Sequence, residues 1–313
     1  MKKILFPIIV ALMISCEKVV EFDIQDSDRY VVVNSLPCTD SLVFANITYS
    51  RFFLDNQSFP PVNDAKATLE VNGTVYPSTG RDGANFNFAY RALAGDSLTL
   101  RVTVPGRDAI FCGTRIPSLP DMQAPLAEID TLQPFNTAEI TFTLNDPSGR
   151  NYYYIYITER DSGTRWNRWK EKWDTIDTVV TPYFNCLNMD ITRPEVNSIE
   201  GMMNYFNKLL FSDSLIEQSQ YDVKLSLMML KDTAEHPLLK QYSLVVESLS
   251  PEAHRYTKEV IADQGMGSYF TEPTRIFSNV NGALGIFAGI AKRKYPLTFT
   301  YKQPETSTKR PFK

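Results

Sequence analysis

Between Arg29 and Ile116 apolar and polar residues alternate through short runs, and this period of two constrains the chain more than any other feature it has. In the run Leu42 to Tyr49, Val43, Ala45, Ile47 and Tyr49 point one way, and Phe44, Asn46 and Thr48 the other. Successive strand side chains face opposite sides, so such a run predicts a half-buried strand rather than a helix. Tyr30 to Leu36, Lys66 to Val71 and Ser97 to Val104 read the same way. Their punctuation agrees: Asn72-Gly73 is a hairpin dipeptide, Gly95-Asp96 opens a strand and Pro105-Gly106 closes it. Strands this short and this evenly spaced predict an Ig-like β-sandwich over residues 29–117.

With 313 residues the chain exceeds what one core normally organises, so a second domain is expected. Pro117, Pro120 and Pro125 mark a linker. Beyond it strands are predicted over 124–132, 139–144, 150–158, 221–230, 241–249 and 296–301. One helix is signalled by Ser250 as cap, Pro251 in the first helical position, Glu252 in the first turn and Gly265 at the far end. Ala253, Tyr256 and Val260 would form its inward stripe. The expected fold is therefore mainly β, an Ig-like sandwich followed by a larger β-rich domain over 118–301 with one or two short helices. Residues 302–313 read as a flexible tail.

The start of the chain carries a location. Met1-Lys2-Lys3 is positive, and Ile4 to Ile14 is apolar apart from Pro7. Such a run is shorter than the roughly 20 residues a membrane-crossing helix needs, and it suits a signal peptide over residues 1–15. It ends in Ile14-Ser15-Cys16, which resembles the lipobox of bacterial lipoproteins. There the Cys sulfur is the nucleophile that accepts a diacylglyceryl group, and cleavage before it frees an amine for further acylation. Acyl chains on Cys16, each buried CH₂ contributing ~0.8 kcal/mol, would hold the chain to lipid through a tether over 16–28. The alternative is a short membrane helix or a buried first strand with an incidental Cys. Glu17, Glu21 and Asp23 resemble in part the acidic signal that sends lipoproteins of Bacteroidota to the cell surface.

Composition excludes more than it selects. The 32 basic residues face 36 acidic ones, and loss of Lys2 and Lys3 makes the balance more negative, which argues against nucleic acid and against a polybasic membrane patch. With Cys16 in lipid, Cys38, Cys112 and Cys186 remain, either as free thiols or with Cys38 bridged to Cys112. Two histidines, His236 and His254, offer no metal spacing, so no metal or cofactor is expected. Nucleophile-elbow, phosphate-loop and zinc-protease patterns are absent, leaving no catalytic residue to name. Asp222, Glu247 and Glu252 are the carboxylates that a hydrolase reading would have to pair.

One segment invites a binding hypothesis. Arg165-Trp166-Asn167-Arg168-Trp169-Lys170-Glu171-Lys172-Trp173 holds every tryptophan of the chain, interleaved with cations, just after an expected turn at Asp161-Ser162-Gly163. Exposed, Trp166, Trp169 and Trp173 with Arg165 and Arg168 would contact a small molecule, a glycan or a peptide. Buried, the same tryptophans would line the inner face of a short helix or pack along a hairpin.

The segment Tyr269 to Gly289, above all Asn279-Val280-Asn281-Gly282-Ala283-Leu284-Gly285-Ile286-Phe287-Ala288-Gly289, resembles the closing signature of domain-of-unknown-function family 4249. Val31 to Leu36, Asn63-Asp64-Ala65, Gly95-Asp96 and Phe211 to Ser214 agree with it, while Ala283 stands where the family often has a second glycine. The resemblance implies a lipoprotein of the Bacteroidota outer membrane, often encoded beside a TonB-dependent receptor and without established catalysis. In the signature, Asn279 and Asn281 read as turn formers, and Gly282, Gly285 and Gly289 as places where strands approach closely. The leading functional expectation is a non-enzymatic surface lipoprotein that captures a ligand or serves a TonB-dependent transporter. The alternatives are a structural or adhesive surface protein and, third, a hydrolase.

Overall fold

The computed structural model describes residues 29–52, 57–130, 137–167, 169–188, 191, 207–216, 220–229, 238–263 and 276–301. Among them the chain is mainly β, with several sheets and one α-helix. The signal segment, Cys16, the tether and the tail all lie outside the described residues.

Seven strands follow one another in the first body: β1 (Val31–Ser35), β2 (Leu42–Tyr49), β3 (Lys66–Val71), β4 (Thr74–Asp82), β5 (Asn85–Arg91), β6 (Ser97–Thr103) and β7 (Ile110–Arg115). The alternation does what the period of two predicts: Val43, Ala45 and Ile47 of β2 and Leu98, Leu100 and Val102 of β6 are buried in one core. Asn72 and Gly73 both take positive φ, 49° and 87°, so the β3–β4 hairpin closes through the primed turn that its dipeptide favours. Asn72 also binds the start of β6, donating to Asp96 Oδ1 at 2.9 Å and accepting from the Ser97 amide at 2.9 Å.

The Ig-like expectation is met only in part. The strands form one continuous eight-stranded ladder, β17-β1-β2-β5-β4-β3-β6-β7, in which β17 is Leu284–Phe287 from the far end of the chain. It pairs in parallel with β1, and the bridge Phe111–Asn281 brings β7 to the residues just before it, so the ladder curls back towards its own start. Val280, Phe287 and Ala291 accordingly sit in the first core. Without β17, β1 would be an open edge of this sheet.

The second body is a sandwich of two sheets. One contains β13 (Phe184–Cys186), β15 (Gln220–Met228), β10 (Thr137–Asn145), β9 (Leu126–Asp130) and β19 (Phe299–Tyr301), with β8 (Asp121–Met122) beside β10. The other orders β12 (Lys172–Val180), β11 (Tyr152–Asn167), β16 (Leu239–Leu249) and β18 (Ile290–Pro296), with β14 (Lys208–Ser212) also on β11. Ile140, Phe142 and Leu144 from the one meet Tyr153, Ile155, Leu244 and Val246 from the other in a single core.

Helix α1 (Pro251–Asp263) starts where its sequence says it should. Ser250 accepts the Ala253 amide at 3.3 Å, and the Ser250 amide donates to the Gly289 carbonyl at 2.9 Å. Ala253, Tyr256 and Ile261 pack with Leu210, Leu249, Ile286 and Ala288 in a third cluster between the bodies, while Val260 is only half-buried. The Gly265 end lies outside the described residues.

One stretch joins all three sheets. Residues 281–301 bridge β7, enter the first sheet as β17, pass to β16 as β18 and finish against β9 as β19. Its backbone is held closely: Ala288 donates to the Ser35 carbonyl at 3.2 Å, Ile290 to Pro37 at 2.9 Å, and Gly289 to the Thr114 hydroxyl at 2.9 Å.

Cys38 and Cys112 are free thiols, so the Cys38–Cys112 bridge is not made. Burial pushes the Cys112 thiol up to about 12 from its ordinary 9.0. Burial with Asp96 does the same to the Tyr90 phenol, and burial with Glu247 to the Tyr156 phenol, each to about 12 from 10.0. All three hold their protons more tightly folded than unfolded. Their contribution is complete below the unfolded values and is lost as pH rises towards the folded ones. The thermal midpoint should thus fall with increasing slope between about pH 9 and pH 12, and a midpoint flat across that window in calorimetry would contradict these burials.

Candidate functional site

Strand β11 begins as core and ends as an arm. Tyr153, Ile155 and Ile157 are buried, but from Arg160 onward its side chains are exposed or half-exposed. It pairs with β16 only as far as Ser162–Leu239, whereas its ladder with β12 runs on to Asn167–Lys172. Among the described residues, the stretch from Gly163 to Asn167 is thus a two-stranded ribbon reaching about 17 Å past the sheet, at ~3.3 Å per residue. The turn expected at Asp161-Ser162-Gly163 does not form. Asp161 and Ser162 have ladder partners on both sides, from β12 and β16, and Gly163 has one from β12; this pairing outweighs their turn composition.

The ribbon is braced along its length. Arg160 meets Asp177 across the strands with two bonds of 2.7 Å, which hold the Asp177 carboxyl below its usual range. At the root, Lys240 is paired with Glu159 and lies 3.5 Å from Asp161. Trp166 and Trp173 stand directly opposite, their rings edge to face with centroids 5.7 Å apart. Arg165 stands opposite Asp174. Above them Asn167 organises the turn, its Oδ1 accepting the Trp169 and Lys170 amides at 3.0 and 3.1 Å. Its Nδ2 donates to Asp174 at 2.7 Å; that bond, then Lys170 and Lys172, depresses the Asp174 carboxyl. Glu171 takes φ 47° to complete the reversal.

Of the two buried arrangements the sequence allowed, the helix is absent and the hairpin is present, but it is not buried. Trp166 and Trp173 are 46% and 51% exposed, and Trp169 at the apex is 98% exposed. Arg168 lies outside the described residues.

The signature residues meet elsewhere. Asn279 clamps the Phe287 backbone, donating to its carbonyl at 2.8 Å and accepting its amide at 2.9 Å. Asn281 bonds Phe111 through its own backbone, with distances of 3.0 and 3.2 Å. A Cβ at Gly285 would fall 2.0 Å from the Val33 carbonyl oxygen and one at Gly289 2.5 Å from that of Arg115; Gly282 similarly faces Ala109. These residues form a packing device.

The carboxylates of the hydrolase reading fall into three separate networks. Asp222 accepts from Thr143 at 2.6 Å, and Glu252 from Thr114 at 3.5 Å. Glu247 accepts from Tyr156 at 2.9 Å and lies 3.1 Å from Lys292, whose ammonium also donates to Tyr156 at 2.8 Å. Burial disfavours the Lys292 charge, yet Tyr156 and Glu247 outweigh it and raise its pKa. A lysine held protonated and a phenol held neutral are poor bases and poor nucleophiles near neutrality, so this trio pins β18 to the sheet. Sequence reasoning missed it. Its one signal is Tyr152, Tyr154 and Tyr156 alternating with buried Tyr153, Ile155 and Ile157, because aromatics on both faces imply that both are covered. No three or more His, Cys, Asp and Glu among the described residues are grouped to hold a metal.

A family model described as Domain of unknown function (DUF4249) matches residues 17–295. No curated protein matches the chain. Among solved structures, Enterococcus faecalis MSCRAMM ACE, described as binding its ligands by the collagen Hug model, is 8% identical over 88% of this chain and 97% of its own, with a TM-score of 0.20. The B domain of a biofilm-associated protein is 6% identical over 86% and 87%, with a TM-score of 0.18. Likeness at that level carries no argument about fold or ligand.

Proposed function

This chain belongs to the DUF4249 family, and from that premise we propose that it is a non-enzymatic envelope protein, lipid-anchored through Cys16 at the outer membrane. There it serves as an accessory or ligand-binding partner of a TonB-dependent transporter. The signal segment and lipobox support the anchor, and the family resemblance supports the setting. The observation that carries the contact role is Trp169, 98% exposed at the apex of a ribbon that is braced by charge pairs and an Asn-capped turn. Full exposure forgoes roughly 1.5–3 kcal/mol of burial for so large a side chain, so a rigid arm that presents it is a contact device.

The test places a photo-crosslinking phenylalanine analogue at position 169 of the lipidated protein in its own membranes. Irradiation should yield an adduct with an outer-membrane component, and gentle extraction should bring a TonB-dependent transporter along. A chain that forms no adduct and emerges alone would end the contact reading.

A further inference from the structure

Resting on that reading, we infer that the arm docks on lipid: Trp169, flanked by Trp166 and Trp173, enters the headgroup layer while the surrounding cations meet acidic headgroups. Size decides between lipid and a protein partner. Fully exposed aromatics offer about 150–250 Å² each, so one exposed and two half-exposed tryptophans present roughly 400 Å². A stable protein interface takes ~800 Å² per partner. The apex alone is too small for that, but it is sufficient as a second anchor, because a lipid on the same chain already confines it to the surface.

The chemistry points the same way. Tryptophan belongs at the membrane–water boundary, where its ring is in apolar surroundings and its N–H remains wet. Between Arg165 and Asp174 the sequence places Arg165, Arg168, Lys170 and Lys172 against Glu171 and Asp174. That is a local cationic excess in a chain whose net charge is −4, and it complements an acidic lipid surface. A bracing network that does not depend on the partner suits a wedge entering a fluid layer, which cannot supply a shaped pocket. One acyl-bearing residue holds the body near the membrane and leaves its orientation free. The arm would fix the orientation.

The chain's own fluorescence is the test, since its three tryptophans all lie in the arm. The chain from residue 16 onward, carrying Cys16→Ser so that no acyl group contributes, is mixed with vesicles of three parts phosphatidylethanolamine to one part phosphatidylglycerol. Residues 1–15 lie outside the described fold, so leaving them out removes none of it. Emission should shift to the blue and become shielded from acrylamide. Partition should fall about tenfold in Trp169→Ala, whose remaining two tryptophans still report, and weaken as salt rises. Unchanged emission and quenching with these vesicles, or partition indifferent to salt, overturns the inference. If the shift appears instead with solubilised outer-membrane proteins, the arm takes a protein and only the lipid inference falls. A chain that responds to neither loses the contact reading as well.

Discussion

Gly285→Ala is expected to prevent the first body from closing. The added methyl would sit 2.0 Å from the Val33 carbonyl oxygen and 2.7 Å from its carbon, both backbone atoms of a fully buried residue, at φ +120°. Neither side can yield: Val33 is fixed between β2 and β17, and Gly285 between Asn281 at the β7 bridge and the Asn279–Phe287 clamp. Combined steric and backbone strain places this at the extreme of single substitutions, about 4 kcal/mol or more, a fall in melting temperature of roughly 10 °C or beyond. Gly80→Ala is the control. Nothing lies within 4 Å of its Cβ position, and it should stay within ~0.5 kcal/mol of the parent. If the two variants melt alike, β17 is not inserted beside β1.

Phe287→Ala should cost about 3–5 kcal/mol, the range for emptying the space of a buried aromatic. More telling is how the loss is distributed. Phe287 packs in the first core, yet the strand it ends continues within three residues as β18, the partner of β16 in the second body. One unfolding transition shifted as a whole is therefore expected, with near-ultraviolet circular dichroism from the buried tyrosines and far-ultraviolet circular dichroism moving together. Two separated transitions, one of them at the parental temperature, would mean that the bodies are independent.

What the sequence disclosed follows from what it can encode locally. Strands β1, β2, β3 and β6 were legible because one face of each is buried and the other wetter, which leaves alternations such as Val43, Ala45 and Ile47 clear. The primed turn at Asn72-Gly73 and the start of α1 at Ser250 were legible because dipeptides and caps act within a few residues. Pairing of Val33 with Gly285 is a relation across most of the chain, and nothing in either neighbourhood announces the other. In the arm, the spacing of Trp166, Trp169 and Trp173 fits a helix as well as a hairpin, and Asp161-Ser162-Gly163 carries turn composition while lying inside a 16-residue strand. The trio Tyr156–Glu247–Lys292 arises from three strands and could not be read from any one of them. Charge interleaved with tryptophan was visible from the start; its display at a rigid apex required the fold.

The place of β17 has a consequence for assembly during synthesis. A nascent chain emerges from its first residue onward, and domains complete at the front usually fold before those behind them are made. Here the leading body cannot be completed until Phe287 has emerged, since its first strand has no neighbour on that side until then. Everything up to β17 must be made before the first body can lock, and a chain released short of that point leaves a bare strand edge open to mispairing with its neighbours.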